Sequence, residues 1–373
     1  MDLDECSASA FKDEAKLKRG TTLLDVRNRA DFEQWKIDQE GLNILNLPYD
    51  ELLADGWNSA ALNNVAKDQT IFVICYRGNS SHRVTTHLNQ QGFKAKSIHG
   101  GMRAWGELYD THQIHASSDM EIYQFARMGR GCLSYLVISD KKALIIDPTR
   151  HIEPYLEVLK QKQAELKLVI DTHTHADHIS GGQALAELCG ASYLLHPYDA
   201  IHPIDLLPAS IHFSPLWDGQ HLQLGKVHFQ VIHVPGHTLG NVALLLEDRF
   251  LFGGDTLFID SIGRPDLGGK ESWSELHYRS LQKLHALDDQ VLLLPGHCKK
   301  DCACLTLADV KKQNGDFMLA KQSLGQFKAS ILSRLPVFPE GYIDIKRINL
   351  GLIEPTEDKM SKLEAGKNLC AVS

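Results

Sequence analysis

The chain has 373 residues, 43% of them apolar, and a formal net charge of −8 at pH 7. That length suits two hydrophobic cores rather than one, and an acidic balance with no Lys/Arg block argues against a nucleic-acid face, which needs clustered positive charge. No apolar run reaches the roughly 18 residues of a membrane span, so no membrane partner is expected.

The start, Met1-Asp2-Leu3-Asp4-Glu5, is acidic and lacks the basic and apolar parts of a secretory signal, so a cytoplasmic location is expected. The eight cysteines are scattered, which favours reactive or buried thiols over a disulfide framework.

In the first part of the chain, short apolar runs at 22–26, 43–45, 71–74 and 95–98 alternate with helix-like segments such as 31–35. This is the pattern of a small α/β domain with a mostly parallel sheet. Cys75 follows the third run and opens Cys75-Tyr76-Arg77-Gly78-Asn79-Ser80-Ser81, after which 82–91 can form a helix. A thiol there meets the backbone N–H groups of a turn, a helix N-terminus and Arg77, all of which favour the thiolate. The plainer alternative is a buried cysteine closing a core strand.

The polar stretch 110–118 separates two differently organised parts. The boundaries expected are a first domain over 1–112, a linker over 113–119, a second domain over 120–351 and a loosely attached tail over 352–373. In the second domain, 132–138 and 143–147 read as paired strands, 153–166 as a helix and 168–170 as the end of a further strand. Strands are expected near 227–234, 242–246 and 249–252, and helices over 272–286 and 307–334.

Directly after 168–170 comes Thr172-His173-Thr174-His175-Ala176-Asp177-His178, with three imidazoles and a carboxylate in six residues. Neutral imidazole and carboxylate are ligands for zinc and for non-haem iron, and a short loop after a strand can aim several at one point. His237, Asp255 and His297 each follow a further apolar run, so four strand ends can converge on one site. Cys298, Cys302 and Cys304 match no zinc spacing and read as bystander thiols.

The Cys75 loop, with Leu24-Asp25-Val26-Arg27 before it and Gly100-Gly101-Met102-Arg103-Ala104-Trp105 after it, resembles the rhodanese sulfurtransferases. The resemblance implies that Cys75 accepts a sulfane sulfur as a persulfide, with Arg77 and Ser80 as catalytic groups and Gly78 and Asn79 holding the anion. One departure is Gln34-Trp35-Lys36-Ile37, where such domains often carry Gly-His-Ile. The histidine-rich pattern resembles the metallo-β-lactamase superfamily, which implies an αββα sandwich behind the rhodanese-like α/β domain.

Two metal chemistries remain open under that resemblance. In a two-zinc hydrolase, His173, His175 and His237 would hold one Zn(II), Asp177, His178 and His297 the other, with Asp255 bridging. In a persulfide dioxygenase, His173, His237 and Asp255 would hold one Fe(II), and His175, Asp177, His178 and His297 would surround it. The neighbouring sulfurtransferase favours the second, because it makes or consumes persulfide.

Ile262-Gly263-Arg264-Pro265-Asp266 resembles the Gly-Arg-Xaa-Asp loop of persulfide dioxygenases and implies that Arg264 contacts a carboxylate of the substrate thiol; the other reading is an ion pair with Asp266. Cys298-Lys299 departs from the Asp-Tyr of many glutathione-using members, so the carrier thiol stays open between glutathione, coenzyme A and others.

The expected function is Fe(II)-dependent oxidation of a thiol persulfide by O2 to sulfite, coupled to sulfur transfer at Cys75 with thiosulfate or sulfite as partners. The alternatives are a glyoxalase II-like two-zinc thioester hydrolase and a sulfur-carrier or sensor module. A homodimer is expected on general grounds of closed symmetry.

Overall fold

Strands Thr22–Asp25 and Thr70–Ile74 are buried along almost their whole length, as strands are when helices cover both faces of a parallel sheet. The computed structural model describes residues 4–39, 41–54, 56, 67–268, 273–298, 304–339 and 341–372; Ser272, Lys299 and Cys302 lie outside the described residues. These two strands are the centre of a five-stranded sheet in the order Glu5–Cys6, Lys94–Ile98, Thr70–Ile74, Thr22–Asp25, Asn43–Asn46, with every pair parallel.

Phe11 of helix Ala8–Leu17 and Trp105 of Gly101–Gly106 pack with Phe72 on one face. Val84 and Leu88 of helix Asn79–Gln90 pack with Ile71 and Val73 on the other. The Leu24-Asp25-Val26-Arg27 segment is a clamp: Arg27 Nη2 lies 2.6 Å from Asp25 Oδ2 and donates to the Trp35 carbonyl at 2.6 Å, with both charges buried. These elements belong to a compact unit made of the chain up to Leu108, Arg127–Arg130 and Ala365–Lys367.

Tyr109–Ala126, Gly131–Glu364 and the chain from Asn368 form the other unit. It contains a seven-stranded sheet in the order Ser214–Pro215, Ser192–Leu195, Glu165–Ile170, Lys142–Ile146, Cys132–Ser139, Glu121–Arg127, Tyr109–Ala116. A six-stranded sheet runs His221–Leu224, Val227–His233, Val242–Leu246, Phe250–Gly254, Leu292–Pro295, Leu305–Thr306.

Successive side chains alternate between layers, as the pleat requires. Tyr135, Val137, Leu144, Val242 and Leu244 meet in the core shared by the two sheets. Leu136 and Ile145 face helices Glu153–Lys162 and Gly182–Cys189, and Ala243 and Leu245 face helix Ser274–His285. This is the αββα sandwich, and burial of both faces explains why these strands read as unbroken apolar runs.

Two expectations are corrected. The polar stretch expected to be a linker over 113–119 is largely the strand Tyr109–Ala116. It lies at the end of its sheet, where one side stays open, so a strand there tolerates His, Gln and Thr. The chain beyond Gly351, expected to be loose, carries helix Glu357–Leu363 and buries Glu364, Cys370 and Val372. Glu364 accepts from the Ile179 amide at 2.8 Å and pairs with Arg150 Nε at 2.8 Å.

No helix among the described residues is long and apolar enough to cross a membrane.

Candidate active sites

In the first unit, strand Thr70–Ile74 delivers Cys75 to a turn whose Gly78 has φ +97. That left-handed conformation aims the Gly78 amide at the Cys75 sulfur, 3.1 Å away. Gly101 grips the same turn from behind: a Cβ there would fall 2.2 Å from the Cys75 carbonyl oxygen, so only glycine permits the approach. Met102 and Arg103 amides then donate to the Cys75 and Tyr76 carbonyls at 2.9 and 3.1 Å.

The hydroxyl beside the sulfur is that of Ser81 rather than Ser80. Ser81 Oγ lies 3.4 Å from Cys75 Sγ, 3.0 Å from the Gly78 carbonyl and 2.9 Å from Ser97 Oγ. Arg77 and Asn79 are exposed and Ser80 is half-buried. The helix Asn79–Gln90 begins at the sulfur, so its positive end favours an anion there.

In the second unit, strand Glu165–Ile170 ends in the loop that holds His173, His175, Asp177 and His178. Val227–His233 leads to His237, Phe250–Gly254 to Asp255 and Leu292–Pro295 to His297. Asp255 is the centre: its Oδ2 lies 3.8 Å from His173 Nε2, 3.4 Å from His237 Nε2 and 3.1 Å from His297 Nε2. Gly296 makes room for it, since a Cβ there would sit 2.5 Å from Asp255 Oδ1.

Ligand atoms of His173, His237 and Asp255 form one group, all within 4.8 Å of one another. His175 belongs to a different group. Its Nε2 lies 3.3 Å from Asp147 Oδ1 and 3.8 Å from Asp171 Oδ1. Asp177 and His297 group with Asp255 and Cys370, and Asp177 and His178 with Cys132.

The donors fit a cation. The Nε2 atoms of His173, His178 and His237 are buried without a hydrogen-bond partner, a state that costs about 1–3 kcal/mol per group. Burial pushes the His173 imidazole well below its usual range and the His237 imidazole down to about 4, leaving the neutral rings that metals bind. Asp177 is held well below the usual carboxylate range because the adjacent His178 and His297 outweigh the opposing effect of burial.

The outer ring nitrogens of His173 and His237 are occupied. His237 Nδ1 lies 3.0 Å from the Arg264 carbonyl and donates to it, which turns the Nε2 lone pair inward. Helix Gly341–Asn349 secures the loop from below: buried Lys346 donates to the Thr174 carbonyl at 2.6 Å, and Asn349 Nδ2 to the carbonyls of His175 and His178 at 3.0 and 2.9 Å.

Arg264 does not present its guanidinium to a substrate. It is fully buried, pairs through Nε and Nη2 with both Asp266 oxygens at 2.7 and 2.8 Å, and donates to the carbonyls of Leu369 and Pro336 at 3.1 and 2.9 Å. The ion-pair alternative is the one the geometry favours. Cys298 and Cys304 pack against the core shared by the sheets.

Ser81, Asp147, Cys132, Asn368 and Cys370 join the two sites without having been singled out in the sequence. A register shift of one residue separates Ser81 from Ser80, and Asn368 reaches His297 across 71 residues, a pairing that local spacing does not signal.

Two family models match: a rhodanese-like domain over residues 7–108 and the metallo-beta-lactamase superfamily over residues 127–297. A hydroxyacylglutathione hydrolase of Pelagibacter ubique (strain HTCC1062) is 30% identical over 257 residues, covering 65% of this chain and 97% of that protein. Among solved structures, a metallo-beta-lactamase from Staphylococcus aureus subsp. aureus COL is 27% identical with a TM-score of 0.56, covering 62% of this chain and 72% of that one. ETHE1 from Myxococcus xanthus is 27% identical with a TM-score of 0.53, covering 62% of this chain and 98% of that one.

Proposed function

The chain belongs to the metallo-beta-lactamase superfamily and carries a rhodanese-like domain before that fold, and from this we propose that it oxidises a low-molecular-weight thiol persulfide to sulfite and transfers sulfane sulfur through Cys75. The balanced change is RSSH + O2 + H2O to RSH + H2SO3. The sulfane sulfur gives up the electrons that O2 gains, and the carrier thiol is released.

The observation that carries this reading is the convergence of His173, His237 and Asp255, whose ligand atoms lie within 4.8 Å of one another, while His175, with its ring 4.2 Å from that of His173, turns its Nε2 to Asp147 at 3.3 Å. A two-zinc hydrolase would use His175 together with His173 and His237, whereas two imidazoles and one carboxylate on one face suit Fe(II) with open positions. Bound Fe(II) would supply the redox chemistry. The chain's own groups fix the ring tautomers, hold the loop through Lys346 and Asn349, and surround Asp255 with Asp177 and His297.

At Cys75, sulfite attacks the outer sulfur of the persulfide, the bond to the cysteine sulfur breaks, and thiosulfate leaves. The Gly78 amide and the start of helix Asn79–Gln90 favour the thiolate that remains.

The test is metal analysis of anaerobically purified protein together with an oxygen electrode and glutathione persulfide. Iron, O2 uptake and sulfite are expected. The second reading, a two-zinc thioester hydrolase, draws on the hydroxyacylglutathione hydrolase that this chain spans almost completely. Zinc without iron, no O2 uptake with any persulfide, and cleavage of a glutathione thioester would establish it instead.

A further inference from the structure

We propose that Asp199 is a positioning residue that joins the loop of His173 to the loop of His237 and so sets how the two rings meet a metal. The inference holds for iron and for zinc alike, because both readings put these two histidines on one ion. The two rings come from different layers. His173 follows strand Glu165–Ile170 of the seven-stranded sheet, and His237 follows Val227–His233 of the six-stranded one, so their meeting depends on what ties one loop to the other.

Asp199 lies in the turn Pro197–Ala200, just beyond strand Ser192–Leu195, and is buried. Its Oδ2 accepts from the Thr174 amide and from the Thr238 hydroxyl, both at 2.7 Å. Thr174 directly follows His173 and Thr238 directly follows His237, so one carboxylate oxygen takes a hydrogen bond from the residue after each ring. Oδ1 accepts from the Gly240 amide at 2.7 Å, and the Asp199 carbonyl accepts from the Thr174 hydroxyl at 2.6 Å.

These donors all belong to the two metal loops, and a carboxylate suits them because both its oxygens only accept and its charge shortens the bonds. Gly240 is pressed against the same group: a Cβ there would lie 2.6 Å from the Asp199 amide nitrogen and 2.9 Å from its Cγ. The rings of His173 and His237 end up 5.0 Å apart at 87°, with their Nε2 atoms 3.8 and 3.4 Å from the same Asp255 oxygen. Metal–ligand distances tolerate shifts of only about 0.2 Å, so a slackened tie between the loops is felt at the ion.

The experiment strips the full chain with a chelator and titrates it with Co(II), whose visible absorption band reports the geometry of its ligands as well as the affinity. Asp199→Asn keeps the size, but its NH2 end must face either the Gly240 amide or the Thr174 and Thr238 donors, so at least one tie is lost. It is expected to bind Co(II) about 10- to 100-fold more weakly than the wild type, with a shifted band. Thr238→Val deletes the hydroxyl tie alone and is expected to lose about 10-fold, with a shift in the same direction.

Circular dichroism and thermal unfolding of the metal-free variants are measured alongside, and Thr238→Val decides the matter if Asp199→Asn does not fold. Folded variants with the affinity and band of the wild type overturn the proposal. Lower thermal stability with affinity and band unchanged also overturns it, since Asp199 would then brace the fold without placing the rings.

Discussion

Asp147 Oδ2 accepts the hydroxyl proton of Thr172 at 2.8 Å, and that bond decides which nitrogen of His173 faces the site. With its proton given to Asp147, Thr172 Oγ1 can only accept from His173 Nδ1, 3.0 Å away, so the Nε2 lone pair points towards Asp255. Thr172→Val keeps the shape and deletes the acceptor. Metal affinity is expected to fall about 10- to 100-fold, the usual cost of losing such an orienting partner, as read by competition with a chelating dye.

His175 lies beside His173, ring centroids 4.2 Å apart, but turns its Nε2 to Asp147 at 3.3 Å, which predicts unequal effects. His237→Ala is expected to lose most of the bound metal, whereas His175→Asn keeps one ion per chain and loses rate instead. Equal loss of metal in both variants would mean that His175 ligates alongside His237, as a two-zinc hydrolase requires.

Removing the metal tests the chemistry directly. Protein treated with a chelator under nitrogen is expected to take up no O2 with glutathione persulfide, and Fe(II) to restore uptake where Zn(II) does not. Neutral His173 and His237 bind either ion, so zinc should occupy the site and compete with iron without supplying redox chemistry. Zinc-restored turnover of a thioester would support the hydrolase instead.

Arg264 is expected to matter for stability rather than for substrate affinity. Arg264→Ala would leave Asp266 unpaired and strip donors from the carbonyls of Leu369 and Pro336. Breaking a buried ion pair from one side costs about 3–5 kcal/mol, which thermal or denaturant unfolding would reveal. Arg264→Lys retains the charge but not the two-pronged contact, so it should recover only part of the loss. A fully stable Arg264→Ala with a raised KM for persulfide would return the residue to substrate binding.

The metal loop was legible because each potential ligand directly follows an apolar run, and such runs end where strands Glu165–Ile170, Val227–His233, Phe250–Gly254 and Leu292–Pro295 end. Local sequence carries that relation. It does not carry the contact of Asn368 with Asp177, made across 191 residues, nor the burial of Arg264 beneath the same segment, so a motif match alone gave that arginine a role its surroundings do not support. The strand Tyr109–Ala116 was hidden for a different reason: at a sheet edge half the side chains meet water, and a polar composition is what such a strand and a linker have in common.

The Cys75 loop separates two adjacent serines that sequence alone does not distinguish. Cys75→Ser is expected to abolish sulfur transfer from thiosulfate to cyanide while leaving O2 uptake with free glutathione persulfide in place. Ser81 Oγ lies 3.4 Å from the sulfur and can turn its proton to the thiolate, whereas Ser80 is the half-buried neighbour outside that contact. A hydrogen bond to a charged group is worth about 1.5–3 kcal/mol, so Ser81→Ala should slow transfer about 10- to 150-fold. Ser80→Ala should leave the rate near that of the wild type. The reverse order would put the anion on the other side of the turn from Ser81, and with it the Gly78 amide would lose its claim to hold the persulfide, since both groups approach the sulfur together.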